Sequence, residues 1–236
     1  MSATQPAVRA IGAIESCFRE KFGAPRQPRL VPASRARLRI KLEFIPEQSL
    51  KGLAGFSHVW LLAYFHLNTN KRFLSTVHPP RLKGKTVGVF ASRSPHRPSP
   101  IGLSLARLLA VEGDTLELAE IDLIDGTPIV DVKPYIPAYD CVAEALPGWT
   151  ERADARELKV EFAAGTLEQA RRNQGRGAPR LVDLIAQVLR QDLRNPRDAS
   201  QMREGKPLEL FLYNVLVRYE VRSGAARVIS VDPAET

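Results

Sequence analysis

The chain has 236 residues, 44% of them hydrophobic, with 34 Lys and Arg against 26 Asp and Glu for a net charge of +8. That suits one large or two modest domains with a true core, and it excludes a disordered chain. No apolar run reaches the ~18 residues of a membrane span, Met1-Ser2-Ala3-Thr4-Gln5-Pro6 lacks the order of a secretory signal, and Cys17 and Cys141 stand alone, so a cytoplasmic protein with no disulfide framework and no metal site is expected.

Strand signals dominate the first half. Val8 to Ile14 is the first candidate, and in Ala36 to Phe44 apolar and charged residues alternate, predicting Leu38, Ile40 and Leu42 inward and Arg37, Arg39 and Lys41 outward. Further strands are predicted over His58 to His66, Thr86 to Ala91, Leu103 to Val111, Thr115 to Leu123 and Pro128 to Val132. The turns Glu112-Gly113-Asp114 and Asp125-Gly126-Thr127-Pro128 are read as joining the last three into a meander. Many short strands with turn punctuation imply a mainly β fold, a closed antiparallel barrel or a sandwich.

Between two of these strands lies Arg93-Ser94-Pro95-His96-Arg97-Pro98-Ser99-Pro100-Ile101-Gly102. Proline fixes its own backbone angle and restricts the residue before it, so this segment is neither helix nor strand interior. It holds two guanidinium groups and an imidazole with little freedom to lose on binding, which suits an anionic ligand.

After Trp149 the polar segment Glu151 to Glu157 marks the expected boundary between domains at 7–150 and 157–236. Beyond it come a strand near Leu158 to Phe162 and a basic loop from Arg171 to Gly177. A helix from Pro179 to Gln191 follows, with Leu181, Leu184, Ile185, Val188 and Leu189 on one stripe. Strands over Leu208 to Val221 and Arg227 to Val231 complete a small α+β unit.

Charge is segregated along the chain. Residues 19–41 and 71–97 hold fifteen cations against Glu20 alone, whereas 112–144 holds nine acids against Lys133. Basic blocks of this density point to a polyphosphate partner, with Arg35, Arg37, Arg39, Lys41, Lys83, Lys85 and Arg97 as candidate phosphate contacts. A merely solvated basic surface is the alternative. Each cysteine is expected to be a small, partly buried side chain, with Cys141, as a lone cysteine, also a candidate nucleophile. The phosphate-loop, dinucleotide, zinc-protease and hydrolase signatures are all missing, which also excludes a Rossmann-type methyltransferase.

Several motifs together carry more than any one of them. Ile11-Gly12 with Lys21-Phe22-Gly23-Ala24-Pro25-Arg26-Gln27-Pro28, then Gly55 to Leu61, then Phe90 to Gly102, then Asp122-Leu123-Ile124-Asp125-Gly126-Thr127-Pro128 through Asp131-Val132-Lys133-Pro134-Tyr135-Ile136-Pro137 follow in order. In these the sequence resembles the TsaA-like, or TrmO, family of S-adenosylmethionine-dependent tRNA methyltransferases. The resemblance implies an antiparallel β-barrel catalytic domain, a small C-terminal α+β domain and a homodimer. It also implies methylation of the exocyclic nitrogen of the threonylcarbamoyl-modified adenosine beside the anticodon of threonine tRNAs. By the same resemblance the S-adenosylmethionine site is expected at Pro25, Arg26, Gln27, His66, Arg93, Leu103, Asp125, Gly126, Thr127 and Pro128.

The chemistry of the donor agrees with that set, since its carboxylate wants a cation such as Arg93 or Arg26, its ribose an acceptor such as Asp125, and its adenine an apolar wall such as Ile101 and Leu103. The acid-rich stretch is expected near the sulfonium, with the basic blocks left free for tRNA phosphates. Asp131, Lys133 and Tyr135 are the candidates to accept or orient the amine proton, Tyr135 also as a stacking surface for the base. His58 is expected to be structural and His66 ligand-adjacent. A non-catalytic RNA-binding barrel that retains an adenosyl ligand for sensing is the alternative.

One departure from the family pattern stands out. Where the family usually ends the C-terminal helix with Asp-Pro-Arg-Pro-Ala-Tyr, this chain reads Asp192-Leu193-Arg194-Asn195-Pro196-Arg197. Asp192 and Arg194 keep their places and are expected at the tRNA contact.

Overall fold

A computed structural model describes residues 8–68, 73–79, 82, 84–152, 157–175, 177–194 and 198–234. Six strands close a barrel: β1 (Gly12–Ser16), β2 (Arg35–Ile40), β3 (His58–Tyr64), β6 (Ile101–Glu112), β7 (Thr115–Ala119) and β8 (Pro128–Pro134), in the order β1-β2-β7-β6-β3-β8. The short strands β4 (Thr76–Val77) and β5 (Val87–Gly88) pair outside it. Every neighbouring pair in the barrel is antiparallel. Period-two alternation sends Ile14, Leu38, Ile40, Val59, Leu61, Ala63, Ala106, Leu116, Leu118 and Ile129 into the interior, which is a packed core. Closure removes all sheet edges, and with them the unpaired backbone groups an open sheet would expose.

The sequence reading of a meander through β6, β7 and β8 is corrected here. Glu112-Gly113-Asp114 does make the β6–β7 hairpin, but β7 pairs with β2 and β8 pairs with β1 and β3. The Asp125–Gly126 turn has its donors and acceptor committed elsewhere: Gly126 N–H bonds Ile14 O at 2.8 Å, Asp125 N–H bonds Phe18 O at 2.8 Å, and Ser16 N–H bonds Asp125 Oδ1 at 2.8 Å. These bonds dock the turn on the end of β1, so the chain re-enters the barrel beside β1. Leu42 is corrected too: β2 stops at Ile40, a 3-10 turn over Leu42–Phe44 follows, and Leu42 is 79% exposed. Thr86 to Ala91 is strand only over Val87–Gly88 and then becomes a 3-10 turn over Val89–Ala91.

One-turn helices α1 (Pro46–Ser49) and α2 (Pro137–Asp140) belong to the connections on the far side of the barrel. The C-terminal part is a sheet of order β10-β11-β12-β9, formed by β9 (Lys159–Phe162), β10 (Leu208–Leu212), β11 (Val215–Arg222) and β12 (Ala225–Pro233), with β9 parallel to β12. Helices α3 (Thr166–Gln174) and α4 (Leu181–Arg190) accompany it, and a single turn α5 (Ala199–Met202) precedes β10. All five apolar residues of the α4 stripe are buried, as their spacing predicts. The expected basic loop from Arg171 lies instead largely in α3, because Thr166, Ala170 and Asn173 fall on one buried side and Asn173 Nδ2 donates to Val231 O at 3.1 Å. The expected strand from Leu208 to Val221 is two strands, folded at Tyr213 and Asn214.

Candidate active site

The direction of each strand decides what meets at the barrel ends. Strands β1, β3 and β7 finish at the end where β2, β6 and β8 begin, so the connections 17–34, 65–100 and 120–127 all gather there. These connections hold Pro25, Arg26, Gln27, His66, Arg93, Asp122 and Asp125. Residues distant in sequence are neighbours by topology alone. The C-terminal sheet braces the same end: Phe18 bridges Leu212, Tyr213 N–H bonds Cys17 O at 2.8 Å, and Ala33 N–H bonds Gln187 Oε1 at 2.7 Å.

The arginine loop between β5 and β6 is stiffened from within. Arg97 Nη1 donates to Val89 O at 3.1 Å and to Ser92 O at 2.8 Å, and its guanidinium lies over the Phe90 ring. Trp149 Nε1 donates to Ala91 O at 2.6 Å and Asn68 Nδ2 to Pro95 O at 2.7 Å. Where the loop enters β6, Gly102 leaves room for the Phe65 ring: a Cβ there would meet the ring at 2.4 Å, and the ring would have to shift. Arg93 is left exposed by this scaffold and reaches across to the 25–28 turn, donating from Nη1 to Gln27 Oε1 at 2.8 Å.

A residue not singled out from sequence completes the cluster. Asp122, half-buried in the 120–127 connection, accepts a hydrogen bond from the hydroxyl of Ser104, which points into the barrel from β6. Burial pushes its carboxyl up to about 6 against the opposing pull of the Ser104 bond and of the Arg93 charge. The signal was within reach, since Asp122 opens the motif ending in Pro128, but nothing in sequence distinguishes it from the hairpin acids around it.

Of the ten residues expected at the cofactor site, Gln27 and Arg93 are in direct contact. Exposed Arg26 and buried Pro25 belong to the same turn. His66 is exposed on the segment that holds the loop through Phe65 N–H to Pro100 O, 2.8 Å. Asp125, Gly126, Thr127 and Pro128 share this end of the barrel, but one Asp125 oxygen is committed to Ser16 N–H and Thr127 Oγ1 to Ile124 O. Leu103 stands on the outer wall of β6, 51% exposed, opposite Leu62.

Asp131, Lys133 and Tyr135 form a separate group on the outer wall. Lys133 Nζ lies 2.9 Å from Asp131 Oδ2, and the Tyr135 ring packs on Trp60 at 5.8 Å between centroids. At ~3.3 Å per strand residue, Asp131 is about 10 Å from Pro128 and Tyr135 is about 23 Å away. His58 packs edge-on against Tyr135. Toward the opposite end a cleft of about 480 Å³ opens between Ile11, Ile40, Phe44, Leu53, Phe56 and Asp131, away from the arginine loop.

The expectation that the basic blocks are left free is corrected by the register of β2 on β7. Arg37 lies opposite Glu117 and pairs with it at 2.6 Å, Arg39 pairs with Asp114 at 3.4 Å, and Arg29 with Glu120 at 3.5 Å. Three of the nine acids, Asp114, Glu117 and Glu120, therefore answer the basic block on the outer wall instead of gathering around a ligand. Arg35 donates to Pro32 O and Ser34 O, and Arg97 to its own loop. Asp192 and Arg194 bond each other in bidentate fashion at 2.7 and 2.8 Å with little exposure, so neither is displayed. Lys41 and Lys85 are exposed; Lys83 and Asn195 to Arg197 lie outside the described residues. Burial pushes the Cys17 thiol up to about 12, which disqualifies it as a nucleophile; Cys141 is exposed. No group of acids, histidines and cysteines among the described residues is arranged to hold a metal ion, and no described helix is long and apolar enough to cross a membrane.

A closed antiparallel barrel gathers an arginine, an amide and a half-buried carboxylate at one end, an arrangement that suits a barrel enzyme acting with a small charged ligand. Residues 13–141 match the tRNA-methyltransferase O N-terminal domain and residues 155–234 the TrmO C-terminal domain. The chain belongs to the TrmO family of methyltransferases.

It is 38% identical over 230 residues to the tRNA (adenine(37)-N6)-methyltransferase of Escherichia coli, covering 94% of this chain and 96% of that protein. It is 42% identical to a putative S-adenosylmethionine-dependent methyltransferase of Pseudomonas aeruginosa, covering 95% of this chain and 96% of that one. To the mouse tRNA (adenine(37)-N6)-methyltransferase it is 51% identical over 70% of its own length but only 40% of the longer protein. A crystal structure of TrmO superposes with a TM-score of 0.82 at 37% identity, covering 97% of this chain and all of that one.

Proposed function

We propose that this protein transfers a methyl group from S-adenosylmethionine to the exocyclic N6 of adenosine 37 in tRNA, and that its substrate is the threonylcarbamoyl-modified adenosine of threonine tRNAs. The observation that carries the reading is the end-to-end similarity to a protein named for the adenine-37 reaction, barrel and C-terminal sheet together. The donor set at the loop end fits the cofactor: Arg93, oriented by Gln27, answers a carboxylate, and the 25–28 and 125–128 turns supply polar edges. Bound there, the cofactor supplies an electrophilic methyl on a sulfonium that leaves as a neutral thioether.

The protein's own work is placement. Holding two reactants in line is worth about 7–11 kcal/mol of barrier, so no covalent enzyme intermediate is required. The amine must lose a proton as its nitrogen bonds carbon. Asp131, the nearest of the three β8 candidates to the loop end, is assigned that proton, with Lys133 as its partner and Tyr135 as a surface for a base. The separation of these residues from Arg93 within one chain is a reason to place a second copy beside the first, so that β8 of one subunit borders the loops of the other. Exposed Lys41, Lys85 and the outer-wall arginines Arg37 and Arg39 serve as phosphate contacts; their carboxylate partners are surface ion pairs, which are weak and exchangeable. A cytoplasmic location follows from the substrate.

The test is nucleoside mass analysis of threonylcarbamoyl-modified tRNA after incubation with isotopically labelled S-adenosylmethionine. Label in that nucleoside is expected. Label in unmodified adenosine 37 alone would remove the threonylcarbamoyl requirement, and no label despite cofactor binding would restore the sensing-barrel reading.

A further inference from the structure

Asp122 is outside the set assigned to the cofactor, yet it is held in a defined place. A barrel connection that only crosses from β7 to β8 has no use for a half-buried carboxylate, and burying one raises its cost of ionisation. Its surroundings keep it in place: Ser104, 1% exposed and aimed inward from β6, donates to one carboxylate oxygen. The neighbouring residue is pinned as well, because Ile121 N–H bonds Ser34 Oγ at 2.8 Å and Ser34 Oγ bonds Ile121 O at 3.3 Å. Among the described residues Arg93 is the charged group that pulls on Asp122, yet Arg93 spends its short contact on Gln27 and makes no ion pair with Asp122. A cation and an anion therefore stand at one end of the barrel, near enough to sense each other and not neutralised by a salt bridge.

We propose that Asp122 and Arg93 form a subsite for a zwitterionic amino-acid head group, Arg93 taking the α-carboxylate and Asp122 the α-ammonium. The inference rests on the reading of Arg93 as the cofactor's cation and extends it to the opposite pole of the same ligand. An acid and a base presented together at one end of the barrel select for ligands carrying both charges, and reject a nucleoside lacking them. Ser104 is a positioning residue, since it reaches the ligand only through Asp122. An ammonium beside Asp122 favours its ionised form, so binding takes up the cost of the buried charge and proton release accompanies binding near the value at which the free carboxyl titrates.

Isothermal titration measures this with three probes: S-adenosylmethionine, S-adenosylhomocysteine, which keeps the amino acid but lacks the sulfonium, and methylthioadenosine, which lacks the amino acid altogether. Asp122→Asn, close to isosteric, is expected to lose tenfold or more for the first two and to bind methylthioadenosine within twofold of the parent protein. In the parent protein, affinity for S-adenosylhomocysteine is expected to rise from pH 5 to pH 7 as Asp122 ionises, with a flat profile in Asp122→Asn. His66 and His96 belong to the same barrel end, and Arg93 carries the neighbouring fixed charge; comparing the two profiles subtracts their contribution. The pH profile of the parent protein needs no variant to fold.

Loss for S-adenosylmethionine with S-adenosylhomocysteine spared would assign Asp122 to the sulfonium and overturn the head-group subsite. Equal loss for all three probes, or unchanged affinity for all three, would overturn it as well. Arg93→Ala separates the two readings: if it weakens S-adenosylmethionine tenfold while Asp122→Asn does not, only the subsite falls, and if it has no effect the placement of the cofactor falls with it.

Discussion

The two ends of the barrel are built from the same six strands and differ in what joins them. At one end, connections of eighteen, thirty-six and eight residues, 17–34, 65–100 and 120–127, carry Gln27, Arg93 and Asp122 and are braced by the C-terminal sheet. At the other, the β6–β7 hairpin turns at Gly113 and Asp114, the 41–57 connection covers an open cleft, and Leu42 and Ile45 face solvent. Long loops held by a rigid scaffold are where binding groups are affordable, because the barrel keeps its backbone bonds whatever the loops carry. The cluster of Gln27, Arg93, Ser104 and Asp122 thus falls at the end that has both loops and a brace.

Substitutions at the two ends should separate them, most strongly in stability. Phe18→Ala, at the fully buried junction with β10, is expected to cost about 3–5 kcal/mol in denaturant unfolding. Leu42→Ala at the other end should fall within about 0.5 kcal/mol of the parent. Equal costs would mean that the C-terminal sheet is no brace.

Asp122→Asn sharpens the comparison through pH. The folded carboxyl sits near 6, above its ordinary value of 3.8, so its contribution to stability is fully present below the ordinary value and lost as pH rises through about 6. The asparagine variant should therefore be more stable than the parent at pH 8, by up to about 2–3 kcal/mol, with the gain vanishing by about pH 4. Thermal unfolding over that range reads it. Stability gained where affinity is lost is the pattern expected of a group retained for function.

Gly102→Ala should cost about 1–3 kcal/mol, because the added methyl meets the Phe65 ring. Gly52→Ala at the opposite end meets no neighbour and should cost about 1 kcal/mol through its left-handed backbone alone. In ligand binding, Arg93→Ala is expected to weaken S-adenosylmethionine about ten- to a hundredfold, the worth of a charge-assisted contact, whereas Lys51→Ala beside the cleft should change it less than twofold. Smallest of all, Arg37→Ala should shift stability by no more than about 1 kcal/mol, as an exposed pair with Glu117. Reversing the charge of Arg37 and Arg39 together should flatten the salt dependence of tRNA binding and leave cofactor affinity intact.

Much of this was legible in the chain itself. Alternation in residues 35–40 fixed which side of β2 is buried, the α4 stripe fell where its spacing put it, and the motif run from Ile11 to Pro137 identified the family and the loop that carries Arg93. Those are local properties, set by side-chain periodicity, proline geometry and residue order. Register and strand order are not local. Asp125-Gly126 has the composition of a hairpin turn and is a docking turn, because its backbone donors found β1. Arg37 and Arg39 read as free cations until β7 set Glu117 and Asp114 against them. Asp122 looked like one acid among nine until closure of the barrel brought Ser104 against it and set it at the same end as Arg93. A carboxylate's role depends on burial and on the charges around it, and these exist only once strands far apart in sequence have paired.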